Sequence, residues 1–215
     1  GPGGYGAVLL LGDTVTELGE GRPVTTNNEM ELKAVVEALK HVPASTTVEL
    51  YTDSKYVVDG ATGWVFGWMN NGWQTKNKTD VLHKELWQEL VTLLDQVTIS
   101  WHKVPGHVGL IGNERADTIA SDFGAGKPVD LYAGPRSEYQ YEIENVAYDK
   151  EKAAERSAAR KRQAQPAYSY VSAVDGVVQT HDTWVECEAR VRGKQARFKK
   201  ALSAEEEQEI IKDFS

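Results

Sequence analysis

Apolar residues along this chain switch repeatedly between strand spacing and helix spacing, and that alternation is its tightest constraint. Tyr5-Gly6-Ala7-Val8-Leu9-Leu10-Leu11 reads as a strand, with residues 14–18 as its hairpin partner across Gly12 and Asp13. A third, weaker strand is expected over residues 21–25. From residue 30 to 42, Leu32, Val35, Val36 and Leu39 recur at helical spacing until Pro43 stops the helix. Residues 48–52 form a short strand ending at Asp53, and a brief helix through Val58 closes near Gly60. A second long helix is expected over residues 81–94, with Leu82, Leu86, Leu90, Leu93 and Leu94 as its buried stripe. Residues 97–101 return to a strand. After the glycine-rich loop 106–112, Asn113 caps a helix that turns Ala116, Ile119, Ala120 and Phe123 inward and ends at Gly124, Gly126 and Pro128. Such a pattern implies the α/β class, an α+β mixed sheet covered by helices.

The first domain is expected to close at residue 132. Residues 133–166 lose apolar periodicity and read as a charged linker, helical over 149–163, in which Arg160-Lys161-Arg162 reads as a phosphate-seeking patch, a localisation tag or, the favoured reading, a solvated face. A small second domain, 167–215, reads as ββαβα. Two strands flank the tight-turn pair Asp175-Gly176. Thr183-x-x-Glu186 has capping-box form ahead of a helix with Trp184, Cys187 and Val191 on one face. Residues 196–202 form a strand, and Ser203-x-x-Glu206 caps a last helix burying Ile210, Ile211 and Phe214.

Composition narrows the function classes. With 40% hydrophobic and 26% charged residues, a collagen-like or wholly disordered chain is excluded. No apolar run reaches the roughly 18 to 20 residues of a membrane-spanning helix. The single Cys187 excludes an internal disulfide framework, fits a reducing, cytoplasmic setting, and reads as a buried small hydrophobe. Net charge is −8, yet residues 1–149 sum to −10 and residues 150–215 to +2. Two parts with different electrostatic roles follow, and a phosphate-rich ligand would need local features to overcome the acidic field of the first.

Three acids stand where a metal site wants them: Glu31 in a first helical turn, Asp53 at the end of a strand, and Asp117 in the first turn of another helix. Carboxylates gathered from separate elements are costly unless a cation neutralises them. Residue type alone does not single these out among 32 acidic residues, and spacing alone leaves Glu114 as an alternative to Asp117.

Local words decide further. Thr25-Thr26-Asn27-Asn28-Glu29-Met30-Glu31-Leu32, then Tyr51-Thr52-Asp53-Ser54-Lys55-Tyr56-Val57, then Val104-Pro105-Gly106-His107 leading to Gly112-Asn113-Glu114-Arg115-Ala116-Asp117 resemble the successive motifs of type 1 ribonuclease H. The opening Gly1-Pro2-Gly3-Gly4-Tyr5-Gly6-Ala7 resembles that family's first hairpin. The likeness runs over residues 1–124 in order and implies a ribonuclease H-like fold with Glu31, Asp53 and Asp117 as metal ligands. It also implies His107 as the histidine that shuttles protons or aids product release, and two Mg²⁺ ions, with Mn²⁺ as a substitute. By the same likeness Asn27 and Asn28 meet base edges and 2′-hydroxyls, and Thr26 and Ser54 hold phosphate. Trp64, Trp68 and Trp73 resemble the family's substrate handle, here without Lys or Arg between Trp64 and Trp73. Trp64 and Trp73 are the expected DNA-strand contacts, whereas Trp68, Trp87 and Trp101 are expected to pack.

One departure matters. The family carries a further catalytic aspartate in an Asp-Gly-Ser-like word on its first, central strand, upstream of the glycine-rich hairpin, and this sequence begins after that point. An N-terminally truncated chain, feeble or inactive by itself, is the expectation. Loss of a mid-sheet strand would also leave unpaired backbone groups on both neighbours.

In the second domain, Trp184-Val185-Glu186-Cys187, Val191-x-Gly193 and Ala196-Arg197-Phe198-Lys199-Lys200 resemble the hybrid-binding domain of eukaryotic-type ribonuclease H and viroplasmin proteins. That resemblance implies that Trp184 and Phe198 stack on DNA sugars while Lys199, Lys200 and Arg197 meet phosphates. The bland alternative makes the two aromatics a mini-core. The sequence therefore reads as an endonuclease cleaving the RNA strand of RNA–DNA hybrids, a monomer with no inferable protein partner and no membrane. The resemblance implies a two-metal, in-line attack of water leaving 5′-phosphate products. Its rival is a catalytically dead hybrid-binding adaptor.

Overall fold

Glycines on alternate positions of the first strand leave room for a helix to lie directly on the backbone, and the fold grows from that contact. In the computed structural model, which describes residues 1–106, 109–147 and 149–215 and only the backbone of Lys152, Arg156, Arg160 and Gln163, β1 (Gly3–Leu11) and β2 (Thr14–Arg22) form an antiparallel hairpin. Helix α5 (Ile111–Gly124) crosses it so closely that a Cβ on Gly6 would stand 2.2 Å from the Ala116 carbonyl oxygen. No separate third strand exists over residues 21–25, because Gly21 and Arg22 complete β2. β5 (Ala133–Pro135) pairs antiparallel with the start of β2. Residues just past 132 thus pair with the first unit instead of starting a free linker.

On the other face of β1 lies α1 (Asn27–Leu39), which starts three residues before the expected point because Thr26 caps it, accepting a hydrogen bond from the Glu29 N–H at 3.2 Å. β3 (Thr47–Thr52) runs parallel to β4 (Thr98–Lys103). Beyond β3, α2 (Lys55–Asp59) does not close at Gly60: the chain continues through a wide π turn, Gly60–Trp64, into α3 (Val65–Asn70). The helix expected over 81–94 begins late, as α4 (Lys84–Leu94), because His83 adopts a left-handed conformation at φ 58°. Leu82 therefore leaves the predicted stripe and is 65% exposed. Leu32 and Val36 of α1, Val57 of α2 and Trp87 and Leu90 of α4 form the main core, each fully buried. The two sheets, β1-β2-β5 and β3-β4, are not hydrogen-bonded to one another.

The chain divides into compact units, Gly1–Ala153 and Ala154–Ser215, with α6 (Lys150–Ala164) spanning the division. In the second unit β6 (Ser169–Val174) is flanked antiparallel by β7 (Val177–His181) and β8 (Ala196–Ala201). Asp175 and Gly176, at φ 51° and 76°, make the tight turn between β6 and β7. α7 (Trp184–Val191) carries the full capping box of Thr183 and Glu186. Strand alternation puts Val174 on the α7 face with Cys187 and Val191, and Val171 on the opposite face with Ala201 and Ile210 of α8 (Ala204–Phe214). Cys187 is fully buried, and burial pushes its thiol pKa up.

Candidate active site

Three carboxylates from separate elements line one cavity of about 640 Å³ between β1 and β3: Glu31 of α1, Asp53 directly after β3, and Asp117 of α5. Because both helices start earlier than their sequence suggests, Glu31 and Asp117 lie in the second turn, not the first. Glu114, the alternative to Asp117, does not line the cavity and instead accepts a hydrogen bond from the Gly109 N–H at 2.8 Å. Asn113 is an interior residue of α5, with Leu110 at the cap, and its amide donates to Asp117 at 3.5 Å.

Glu31 is the electrostatic focus. Burial pushes its pKa up, the charge of Asp53 adds to that, and a short hydrogen bond donated by the Ser54 hydroxyl opposes both. Ser54 is itself buried and accepts from the Val57 N–H at 3.1 Å as the cap of α2, so one hydroxyl joins the acid to a helix start. Gly106 closes over Asp53, where any Cβ would fall 2.4 Å from Oδ2. Two coupled acids held close with little relief are what a hard divalent cation neutralises, and carboxylate oxygens are its preferred donors. The donor chemistry fits such an ion. Among the described residues no group of three His, Cys, Asp or Glu side chains is arranged to hold a metal ion: Glu31 and Asp53 are the coupled pair, and Asp117 stands on another wall of the cavity.

Asn27 and Asn28 are exposed in the first turn of α1, and Asn27 lines the cavity. Thr26 is occupied as the cap, with His83 Nε2 3.4 Å from its hydroxyl. Trp64 is 43% exposed, held by Tyr56 and Trp68 at ring distances of 5.9 Å each, while Trp73 is half-buried against the main core with Trp68 and Trp101. Phe66 and Met69 on α3 are exposed beside this handle; their apolar spacing on a glycine-rich run was the signal that sequence reasoning passed over. His107 lies outside the described residues.

A second polar constellation was not foreseen. Glu17 of β2 is 3% exposed and accepts two hydrogen bonds from Arg115 (2.6 and 2.7 Å), one from the Tyr139 hydroxyl (2.6 Å) and one from the Tyr132 N–H (3.0 Å). Burial alone would raise its pKa, but these donors outweigh burial and hold it below the ordinary carboxylate range. Period-2 alternation placed residue 17 inward on β2; its acidity was the overlooked clue.

In the second unit Trp184 and Phe198 are 39% and 52% exposed, with ring centroids 5.4 Å apart, so neither is a core residue. Lys199 is exposed, and Lys200 donates to the Gln165 carbonyl. Arg197 points to α8, paired with Asp213 at 2.9 Å and lying 4.4 Å over the Phe214 ring. Beneath α7, Arg190 and His181 converge on buried Ser172, at 2.7 and 2.8 Å from its hydroxyl.

Comparison with known proteins finds relatives of the first unit. The family model described as RNase H matches residues 1–124. A Ribonuclease H from Bradyrhizobium sp. (strain ORS 278) is 53% identical over 122 residues, 57% of this chain and 79% of that protein. A Ribonuclease H from Thermosynechococcus vestitus (strain NIES-2133 / IAM M-273 / BP-1) is 47% identical over 139 residues, 63% of this chain and 87% of that protein. Among solved structures, LC9-RNase H1, a type 1 RNase H with the type 2 active-site motif, superposes with a TM-score of 0.50 at 28% identity, over 64% of this chain and 78% of that chain.

Proposed function

The chain belongs to the RNase H family, and from that premise we propose that its chemistry is hydrolysis of the RNA strand of RNA–DNA hybrids. The observation that carries this reading is the convergence of Glu31, Asp53 and Asp117 on one cavity, with Glu31 coupled to the charge of Asp53. These three would hold Mg²⁺, or Mn²⁺ in its place, and bound divalent ions supply water activation and charge relief at the leaving oxygen.

The chain's own residues do the rest. Ser54 fixes the Glu31 carboxylate through its hydroxyl. Asn27 and Asn28 offer amide donors and acceptors at the cavity edge, suited to 2′-hydroxyls and base edges in a shallow groove. Thr26 holds the start of α1 and so places both amides. Trp64, with Phe66 and Met69, is the apolar platform for the DNA strand, and Trp73 supports it from below. His107 takes the proton-shuttling or product-releasing role. In the second unit the Trp184–Phe198 pair stacks on DNA sugars, with Lys199 and Lys200 on phosphates, while Arg197 is committed to α8. We assign residues 1–132 to catalysis, 133–166 to the connection and 167–215 to hybrid binding, in a monomeric cytoplasmic protein.

The test is hydrolysis of labelled RNA–DNA hybrid, duplex DNA and duplex RNA with Mg²⁺ by the 215-residue chain and by its Asp53→Asn variant. Hybrid-selective cleavage, however feeble, that Asp53→Asn abolishes is expected. Hybrid binding without cleavage would overturn the nuclease reading in favour of a hybrid-binding adaptor.

A further inference from the structure

The charge pattern of α6 is unfavourable for a helix that only faces water. Its 15 residues include six basic ones, Lys150, Lys152, Arg156, Arg160, Lys161 and Arg162, against Glu151 and Glu155. Among its described residues all but Ala153 are exposed, so no apolar face packs it in place. A helix that is polar all round is held by opposite charges three or four positions apart. Here the fourfold spacing does the reverse: Glu151–Glu155, Lys152–Arg156 and Arg156–Arg160 are like-charge pairs, and within α6 only Lys152–Glu155, three apart, is opposite. At 3.6 residues per turn, positions 152, 156 and 160 form a stripe about 80° wide, with Lys150 and Lys161 on the same half of the helix. Glu151, Glu155 and Arg162 share the other half. Arg162 pairs with Glu206 of α8, so the half that carries the acids is the one toward α8 at that end, and the basic half turns away. Lys200, placed on phosphate above, donates to the Gln165 carbonyl just after α6. Both contacts lie within Ala154–Ser215, so the helix ends beside the proposed hybrid-binding surface.

We propose that the basic half of α6 is a nucleic-acid contact in its own right, which lies along the phosphate backbone of the hybrid and reads no sequence. Water screens the repulsion among Lys152, Arg156 and Arg160 only in part, whereas a row of phosphates neutralises it and releases counterions. The helix offers that positive row over about 22 Å, at 1.5 Å per residue. Its composition excludes the rival occupants. Alanine is the only apolar residue type on α6, whereas an interfacial membrane helix and a helix docked in a protein groove both need bulky apolar anchors. Location supports the same occupant, since residues 1–149 sum to −10 and a polyanion held near them needs local positive charge. The proposal rests on the reading of this chain as a nucleic-acid-binding protein, and not on its catalysis.

The test moves charge without changing it. In the full chain, Glu151→Lys, Lys152→Glu, Glu155→Arg and Arg156→Glu together keep composition and net charge but break the stripe. A second variant, Lys152→Gln with Arg156→Gln and Arg160→Gln, keeps good helix formers throughout, and Glu151→Gln with Glu155→Gln is the control on the other half. Far-UV circular dichroism follows helix content, and if the charge-moved variant loses helix the triple Gln variant decides alone. Binding of a labelled RNA–DNA hybrid is read by anisotropy over a range of salt, without divalent ions, so that no strand is cut. Expected are an affinity loss of about tenfold or more for the charge-moved variant, a salt slope lower by about two to three for the triple Gln variant, and no loss for the control. Equal affinity of the parent and the charge-moved variant, or an unchanged slope in the triple Gln variant, overturns the proposal and leaves the nuclease reading intact. Absence of hybrid binding by the parent chain overturns both. Binding to phosphatidylserine–phosphatidylcholine vesicles that the charge-moved variant loses while it keeps the hybrid assigns the face to lipid and also overturns the proposal.

Discussion

The Ser54 hydroxyl donates a hydrogen bond to Glu31 Oε2 while its oxygen accepts from the Val57 N–H, so a helix cap and an active-site acid share one atom. Ser54→Ala removes both contacts. Loss of a cap costs about 1 kcal/mol, a fall of about 2–4 °C in Tm for a protein of this size. Divalent-ion affinity is expected to fall as well, because Glu31 loses the one donor that favours its ionised form. Melting curves with and without Mg²⁺ check both, and an unchanged response to Mg²⁺ would separate Ser54 from the acid.

Repulsion between Glu31 and Asp53 predicts opposite effects of one substitution in the presence and absence of metal. Asp53→Asn should raise the metal-free Tm by relieving that repulsion and should abolish the stabilisation by Mn²⁺, which for the parent chain is about 2.7 kcal/mol at a hundredfold excess over Kd. Calorimetric titration with Mn²⁺ is the direct measurement. Retention of full affinity would remove Asp53 from the ligand set.

Glu17 links stability to pH. Its folded-state pKa lies below its ordinary value of 4.5, so its contribution is complete above that value and is lost as pH falls through the lower, folded-state one. Urea unfolding of the first unit should therefore weaken steeply below about pH 4.5. Glu17→Ala should destabilise the first unit at pH 7, since it strips the half-buried Arg115 and the Tyr139 hydroxyl of their shared acceptor, and should flatten the acid limb. A variant as pH-sensitive as the parent would show that other groups set that limb.

Exposed aromatics can be removed cheaply. Trp184→Ala and Phe198→Ala should each weaken hybrid binding by about 1–3 kcal/mol, roughly tenfold to a hundredfold, with little change in Tm. Lys199→Ala should reduce the salt slope of binding by about one ion. Arg197→Ala should leave that slope unchanged, because Asp213 and Phe214 already occupy the guanidinium. Anisotropy titrations at several salt concentrations distinguish these outcomes.

Local chemistry was enough for most elements. Thr183 and Ser203 each cap the helix that follows as their spacing suggested, since a cap needs only a hydroxyl and nearby N–H groups, whereas the caps at Thr26 and Ser54 were not foreseen. Where the sequence misled, a local signal met a distant competitor. Gly60 read as a helix end, yet it is the point where the Trp87 ring packs against backbone. Leu82 fitted the stripe of α4, but the left-handed turn at His83 placed it outside the helix.

The sequence by itself determined the fold class, the alternation of strands and helices, and the three acids whose motifs resemble those of the family, because periodicity and short words are local properties. Only the tertiary structure decided that Glu31 and Asp53 are electrostatically coupled, that Glu17 collects four hydrogen bonds, and that β1 and β3 border one cavity. Burial, charge coupling and edge pairing depend on distances between residues far apart in the chain, and no spacing along the chain encodes those distances.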